Sequence, residues 1–422
     1  MEEIRKIFNT PSFKKFSFCL FDWANSPFST VVITFVFAAY FQKAIVGDVV
    51  KATTLWGWAI GISGIMVAIS APTLGVLVDA SKSTRLWLMT TTVCVSLCSI
   101  LLWFVRPEES YIITFLILII VANFSFELGM VFYNSRLIKI SNSHSLGKIS
   151  GIAWASGYFG GIVCLALVLF GFIQPQTPIF GISTSEAENI RIAGPIVGIW
   201  FLIFSWPLIV SIEKNKLNCL PSLRGAILAS FKKYRDLFTG SSPGRFLLAR
   251  MIYTDGLNTL FAFGGLYAAG TFGMEMEEVI LFGIGLNITA GIGALLFGFI
   301  DDKFGPKKVI LISLCFLMIL GVFILLIASI FWFWVLGLML GLFIGPVQSS
   351  SRTLMARISD PKETVSSFGL YALSGKATAF LGPVVLAIVS DLFQSQKAGM
   401  SSILVFMFIG FLILVFTKDT NV

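Results

Sequence analysis

The sequence predicts an all-α integral membrane protein of twelve transmembrane helices, arranged as two pseudo-symmetric bundles of six. Three observations predict it. The first is composition: hydrophobic residues fill 56% of the 422 positions and charged residues only 12%, against roughly 25% charged in an ordinary soluble domain. So little charge cannot cover a water-soluble surface of this size, and the mean hydropathy of +0.90 says the same. The second is a twelvefold recurrence of apolar segments near the length of about 20 residues that a bilayer requires. The third is the placement of Lys and Arg, which alternates from loop to loop.

Taken in order, the spans fall at about 16–42, 55–78, 86–105, 111–135, 149–173 and 193–212, then 246–272, 278–300, 308–330, 332–355, 365–389 and 400–417. With the N-terminus inside, 23 of the 30 basic residues lie in inside segments, five outside and two within spans. That bias sets orientation, so both tails (1–15 and 418–422) are expected in the cytosol. Residues 16–213 form the first bundle, 214–244 a linker and 245–417 the second bundle. In the linker, Leu223, Ile227, Phe231, Tyr234 and Phe238 recur at helical spacing among basic residues. This is either an amphipathic helix on the inner leaflet or a plain charged connection. The formal charge of +8 is thereby a topology signal that faces membrane lipid, not a nucleic-acid patch.

Several chemistries drop out. A single histidine, His144, cannot build a multi-imidazole zinc site. Five of the six cysteines lie in apolar segments, which leaves no extracellular disulfide framework. Gly369 through Lys376 reads G-x5-G-K-A, one residue too long for a phosphate-binding loop and lacking its Ser/Thr. No cofactor, metal site or enzyme activity is expected, and energy must come from gradients.

The halves echo each other twice. Gly75 and Asp79, followed by Lys82 and Arg85, recur 223 positions later as Gly298 and Asp302, with Lys303, Gly305, Lys307 and Lys308 behind them. The second copy resembles the loop signature GxxxD(R/K)xG(R/K)(R/K) of the major facilitator superfamily; the first has Ala80-Ser81-Lys82-Ser83 in its later positions. The resemblance implies that fold, with both loops acting as cytosolic gate latches. The other echo places Asp22, Asn25 and Ser26 in the first span and Asp255, Asn258 and Thr259 in the seventh. Residues three apart share a helix face, so each half presents an acid beside an amide. Such groups are costly in a bilayer and either line a cavity or form a structural pair.

Phe21-Asp22-Trp23-Ala24-Asn25-Ser26-Pro27-Phe28 resembles the YDWANSAF opening of the vacuole-effluxer family, the autophagy-related branch of the superfamily. Phe132-Tyr133-Asn134 in the fourth span, Ser150 through Gly161 in the fifth, Gln348 through Arg352 in the tenth and Phe368 through Pro383 in the eleventh carry the likeness onward. Departures are Pro27, where Ala is common, and Arg136-Leu137, where the family continues with Leu-Pro. The resemblance implies export or exchange of small metabolites, amino acids first.

Lys376 is the sharpest candidate. About eleven residues into its span at 1.5 Å each, it sits near the midplane of a core about 30 Å thick. There it either holds a substrate carboxylate or pairs with a carboxylate, Asp255 first and then Asp22 or Glu127. Glu127, deep in the fourth span, is a candidate proton carrier. Asn134, Asn258 and Gln348 offer neutral hydrogen bonds. Arg352 is a carboxylate clamp or a headgroup anchor, and Arg250 an anchor. The expected function is secondary transport of a small polar metabolite by alternating access, coupled to protons or another ion, with the inner membrane of a bacterium as the expected location. A non-transporting sensor and a lipid-moving protein are the alternatives.

Overall fold

The computed structural model describes residues 8, 10–142, 144–213, 222–238 and 241–417. Most of the N-terminal tail, the linker stretch 214–221 and the C-terminal tail lie outside the described residues. Among the described residues there is no strand. Among the described residues, eleven helices are long and apolar enough to cross a bilayer: α1 (Pro11–Val46), α2 (Val49–Ser81), α3 (Thr84–Phe104), α4 (Glu109–Ile140), α5 (Leu146–Ile173), α6 (Ser185–Ser211), α8 (Glu277–Phe304), α9 (Pro306–Leu326), α10 (Ile330–Ile358), α11 (Thr364–Phe393) and α12 (Gln396–Val415). Between them α7 (Ser242–Phe272) has 31 residues, long enough to span; Arg245, Arg250, Asp255 and Asn258 make it more polar. The linker helix is Leu223–Phe238.

By packing, the chain forms two units. Unit 1 holds Met1–Val67, Lys82–Tyr133 and Ser156–Asn218; unit 2 holds Ala68–Ser81, Asn134–Ala155 and Cys219–Val422. The division departs from the chain midpoint, because the end of α2, the end of α4 and the start of α5 pack with the second half.

Within unit 1 the opening motif and the fifth-span motif meet. α5 lays Gly157, Gly160 and Gly161 against α1, where a Cβ on Gly160 would stand 2.6 Å from the Trp23 carbonyl oxygen. Small residues permit this approach. Pro27 lacks the N–H that would bond that same carbonyl, four residues earlier. Trp200 supplies the missing donor, its Nε1 reaching Trp23 O at 3.2 Å, with the two indoles stacked at 5.7 Å. Directly after Pro27 the helix widens to π geometry over Phe28–Phe35, a form that often marks functional sites. Tyr133 stacks on Phe18 at 4.3 Å and on Phe21 at 4.6 Å and donates to Phe18 O at 2.9 Å.

The repeated loops follow one plan. Arg85, near the start of α3, donates to Ile212 O at 3.1 Å. Lys307, near the start of α9, donates to Thr417 O at 2.6 Å. In each half, then, a base satisfies carbonyls left open at the end of the sixth helix, where positive charge is favoured. The turn before α9 uses Gly305 at φ 91°. The matching position 223 residues earlier is Lys82, held at φ 56°, where a side chain costs roughly 1–2 kcal/mol. Lys82→Gly is therefore expected to stabilise the protein by about 1 kcal/mol, read as a higher thermal midpoint in detergent. An unchanged or lower midpoint would count against strain at this turn.

Candidate functional site

In unit 1, Asp22 is buried on α1. Its Oδ1 accepts from Asn25 Nδ2 at 3.1 Å, and its carbonyl accepts from Ser26 Oγ at 2.9 Å. The expected acid–amide pair is thus formed, in the last turn before the π segment. Glu127 lies half-buried on α4. One turn away, Asn123 donates to Ser63 Oγ at 2.7 Å and joins α4 to α2.

The second copy of this pattern, in unit 2, is built differently. Thr259 Oγ1 bonds the Asp255 carbonyl at 2.7 Å, as Ser26 does for Asp22. Asn258, however, is exposed and Asp255 is 1% exposed, so the amide faces away from the acid. Beside the carboxyl lies the hydroxyl of Thr378. Neither Asp255 Oδ1 nor Thr378 Oγ1 meets hydrogen-bonding geometry with any described group.

The local backbone explains why Thr378 stands there. α11 is broken: a helix over Thr364–Lys376 ends, residues 377–380 form turns, and a second helix runs Leu381–Phe393. Ala379 N bonds Lys376 O at 3.4 Å and Leu381 N bonds Thr378 O at 2.7 Å, three-residue spacings in place of four. Pro383 contributes, since it has no N–H for Ala379 O. Gly382 presses on Thr259 Oγ1 and lies so near the Asp255 carbonyl that a Cβ would be 2.9 Å away. Lys376 is the last residue of the first half-helix, where the helix dipole favours a cation.

One turn earlier, α7 braces the same half-helix. Arg250 donates to Tyr371 O at 2.6 Å and to Ser374 Oγ at 2.7 Å, with its guanidinium 3.4 Å from the Tyr371 ring centroid. Where a headgroup anchor was expected, Arg250 packs against α11. Arg352 also departs from the anchor reading, being 1% exposed. Its Nε donates to Ser150 Oγ at 2.9 Å, its Nη2 to Ser150 O at 2.7 Å and its Nη1 to Asn134 Oδ1 at 3.3 Å. Trp154 lies 5.5 Å from the guanidinium. Gln348 is half-buried one turn before it.

The two repeated loop motifs make matching contacts inside unit 2. Asp79 accepts from Val365 N at 3.1 Å and Ser366 N at 2.8 Å. Asp302 accepts from Gly147 N at 2.7 Å and Lys148 N at 2.8 Å. Each carboxylate thus takes the second and third amides of a helix, α11 or α5, that its own chain segment does not precede. A carboxylate suits these orphan N–H groups and the positive helix end. Gly75 and Gly298, one turn before each Asp, let the helices touch: a Cβ would lie 2.6 Å from Ser366 Cα and 2.8 Å from Gly147 O, respectively. Lys303 and Lys308 are exposed. Asp301, which the sequence did not single out, is 1% exposed. Arg357 Nη2 reaches its Oδ1 at 3.5 Å and that of Asp302 at 3.6 Å.

A family model identifies the family, and solved structures agree on the fold. The family described as vacuole effluxer Atg22 like matches residues 139–421. The uncharacterised MFS-type transporter YxiO of Bacillus subtilis is 23% identical over 96% of this chain and 94% of its own. Autophagy-related protein 22 of Cryptococcus neoformans is 24% identical over 65% of this chain and 52% of its own. Among solved structures, the Escherichia coli fucose:proton symporter FucP superposes with a TM-score of 0.73 at 16% identity, covering 97% of this chain and 98% of its own. The human organic anion transporter MFSD10 gives 0.72 at 14% identity, covering 96% and 99%. This chain is a multi-pass membrane protein of the major facilitator fold, a transporter rather than an enzyme, and it belongs to the Atg22-like vacuole effluxer family.

Proposed function

We propose that the protein exports or exchanges a small zwitterion or carboxylate, amino acids foremost, by alternating access with a coupled ion. The observation that carries this reading is the interruption of α11 directly after Lys376 and beside buried Asp255. Irregular backbone at membrane depth is tolerated where it lines a cavity or is buried in protein, and broken helices mark substrate and ion sites in repeat-built transporters. In this reading Lys376 holds the substrate carboxylate, and Asp255 with Thr378 takes the coupling cation, a proton in the simplest case. Glu127 is a second proton carrier on its own unit, where Asp22 and Asn25 offer polar contacts. Arg352, Asn134 and Gln348 position the ends of α10 and α4. The basic loops face the cytosol, both termini with them, and the family's effluxer description supports outward movement across a bacterial inner membrane.

The test is counterflow in proteoliposomes loaded with a mixed amino-acid pool, which needs no imposed ion gradient. Exchange of one or more amino acids supports the substrate class; none from well-folded protein removes it. Asp255→Asn separates coupling from substrate. It is expected to keep exchange and to lose gradient-driven accumulation. Accumulation at the native level would exclude Asp255 as the coupling group.

A further inference from the structure

The linker helix is strapped to one latch, and its other face is dressed for a membrane surface. Ala226 and Ser230 are each 1% exposed, and Lys233, at the same helical phase, turns to the protein. Its Nζ reaches Glu363 Oε2 at 2.8 Å and Ser366 Oγ at 2.6 Å. Ser366 is the residue whose backbone N–H holds Asp79, so Lys233 completes a chain from linker to latch. On the opposite face Leu228 and Phe231 are 61% and 65% exposed, with Ile227 beside them and Arg224, Lys232 and Arg235 exposed among them. Apolar side chains interleaved with bases are the pattern of a helix lying in a headgroup layer.

Depth agrees with the pattern. Lys233 is tied to the last turn of one span, through Asp79, and to the first turn of another, through Ser366. Those turns end one helix and begin another that are each long and apolar enough to cross a bilayer, which puts them near a headgroup layer, where anionic lipid attracts clustered bases. We infer that the outer face of the linker helix binds anionic phospholipid headgroups, and that this contact reinforces the Asp79 latch through Lys233. The lipid then regulates how long the transporter stays closed on the side of the basic loops. The inference shares the orientation given under Proposed function and is independent of the substrate.

Hydrogen exchange of the full chain in nanodiscs tests it, and needs neither a substrate nor an orientation because both leaflets are the same. Amides of 222–238 and the peptide covering Val365 and Ser366 are expected to exchange about tenfold more slowly in discs containing phosphatidylglycerol than in phosphatidylcholine alone. Arg224→Gln with Lys232→Gln and Arg235→Gln should abolish the lipid effect on both segments. Lys233→Met should keep it on the helix and remove it from Val365 and Ser366. Equal exchange in both lipids overturns lipid binding, and so does protection that follows the number of copies per disc, which would assign the face to a second copy. A lipid effect on the latch that survives Lys233→Met overturns the strap.

Discussion

Lys376→Met should abolish counterflow, with a fall in exchange of at least about 100-fold, the consequence of deleting one member of a desolvated charged contact. The reason lies in position as much as charge. Lys376 ends a half-helix, next to a stretch of turns inside a helix long and apolar enough to cross a bilayer, where a lost charged contact is costly to replace. Lys376→Arg separates binding from architecture. A guanidinium keeps the charge but not its compact shape, so the substrate's half-saturation should rise while folded yield and thermal midpoint hold. If Lys376→Met folds, keeps native exchange and only loses stability, Lys376 is a structural cation, and the substrate carboxylate is held elsewhere.

How much of this site could be read from residues alone varies with the physics involved. The latch motifs were legible because their spacing repeats: Gly75 and Asp79 recur as Gly298 and Asp302, and the same offset matches Lys82 to Gly305. The motifs of the first and fifth spans were legible as types, and their mutual contact follows from glycine at 157, 160 and 161. The break in α11 is signalled only by Pro383, which leaves Ala379 O without its donor. An otherwise apolar, continuous-looking segment hid the effect. Position along a span places Arg250 and Arg352 near interfaces. Their true environment is set by which neighbour fills the space, Tyr371 for one and Ser150 with Asn134 for the other. That information is tertiary. The same limit explains Asn258: a D-x-x-N spacing puts both side chains on one helix face, but only packing decides which of them is buried. For the acids at 301 and 302, the family signature names Asp302, whereas burial falls on Asp301.

Asp302→Ala is expected to shift the protein toward the state open at the basic loops by about 100-fold. The carboxylate accepts two backbone N–H bonds at 2.7 and 2.8 Å. Hydrogen bonds to a charged group contribute about 1.5–3 kcal/mol each, and after water replaces part of that, a net of about 3 kcal/mol remains, near two orders of magnitude in population. The measurement is the alkylation rate of Ser349→Cys, a site buried next to the α5 contact, by an impermeant maleimide added from the basic-loop side, with the native cysteines as background. Asp79→Ala should act alike, since it removes a carboxylate from the corresponding amides of α11. Because the two latches use different helices and share no partner, their effects should multiply. A double variant no more reactive than either single would mean that the latches open as one element, and a single variant with unchanged reactivity would leave the Asp as a cap with no part in gating. Asp302→Asn discriminates further. It keeps one acceptor oxygen and loses the charge that favours a helix N-terminus, so its reactivity should fall between native and Ala if helix-end electrostatics contribute alongside the bonds themselves.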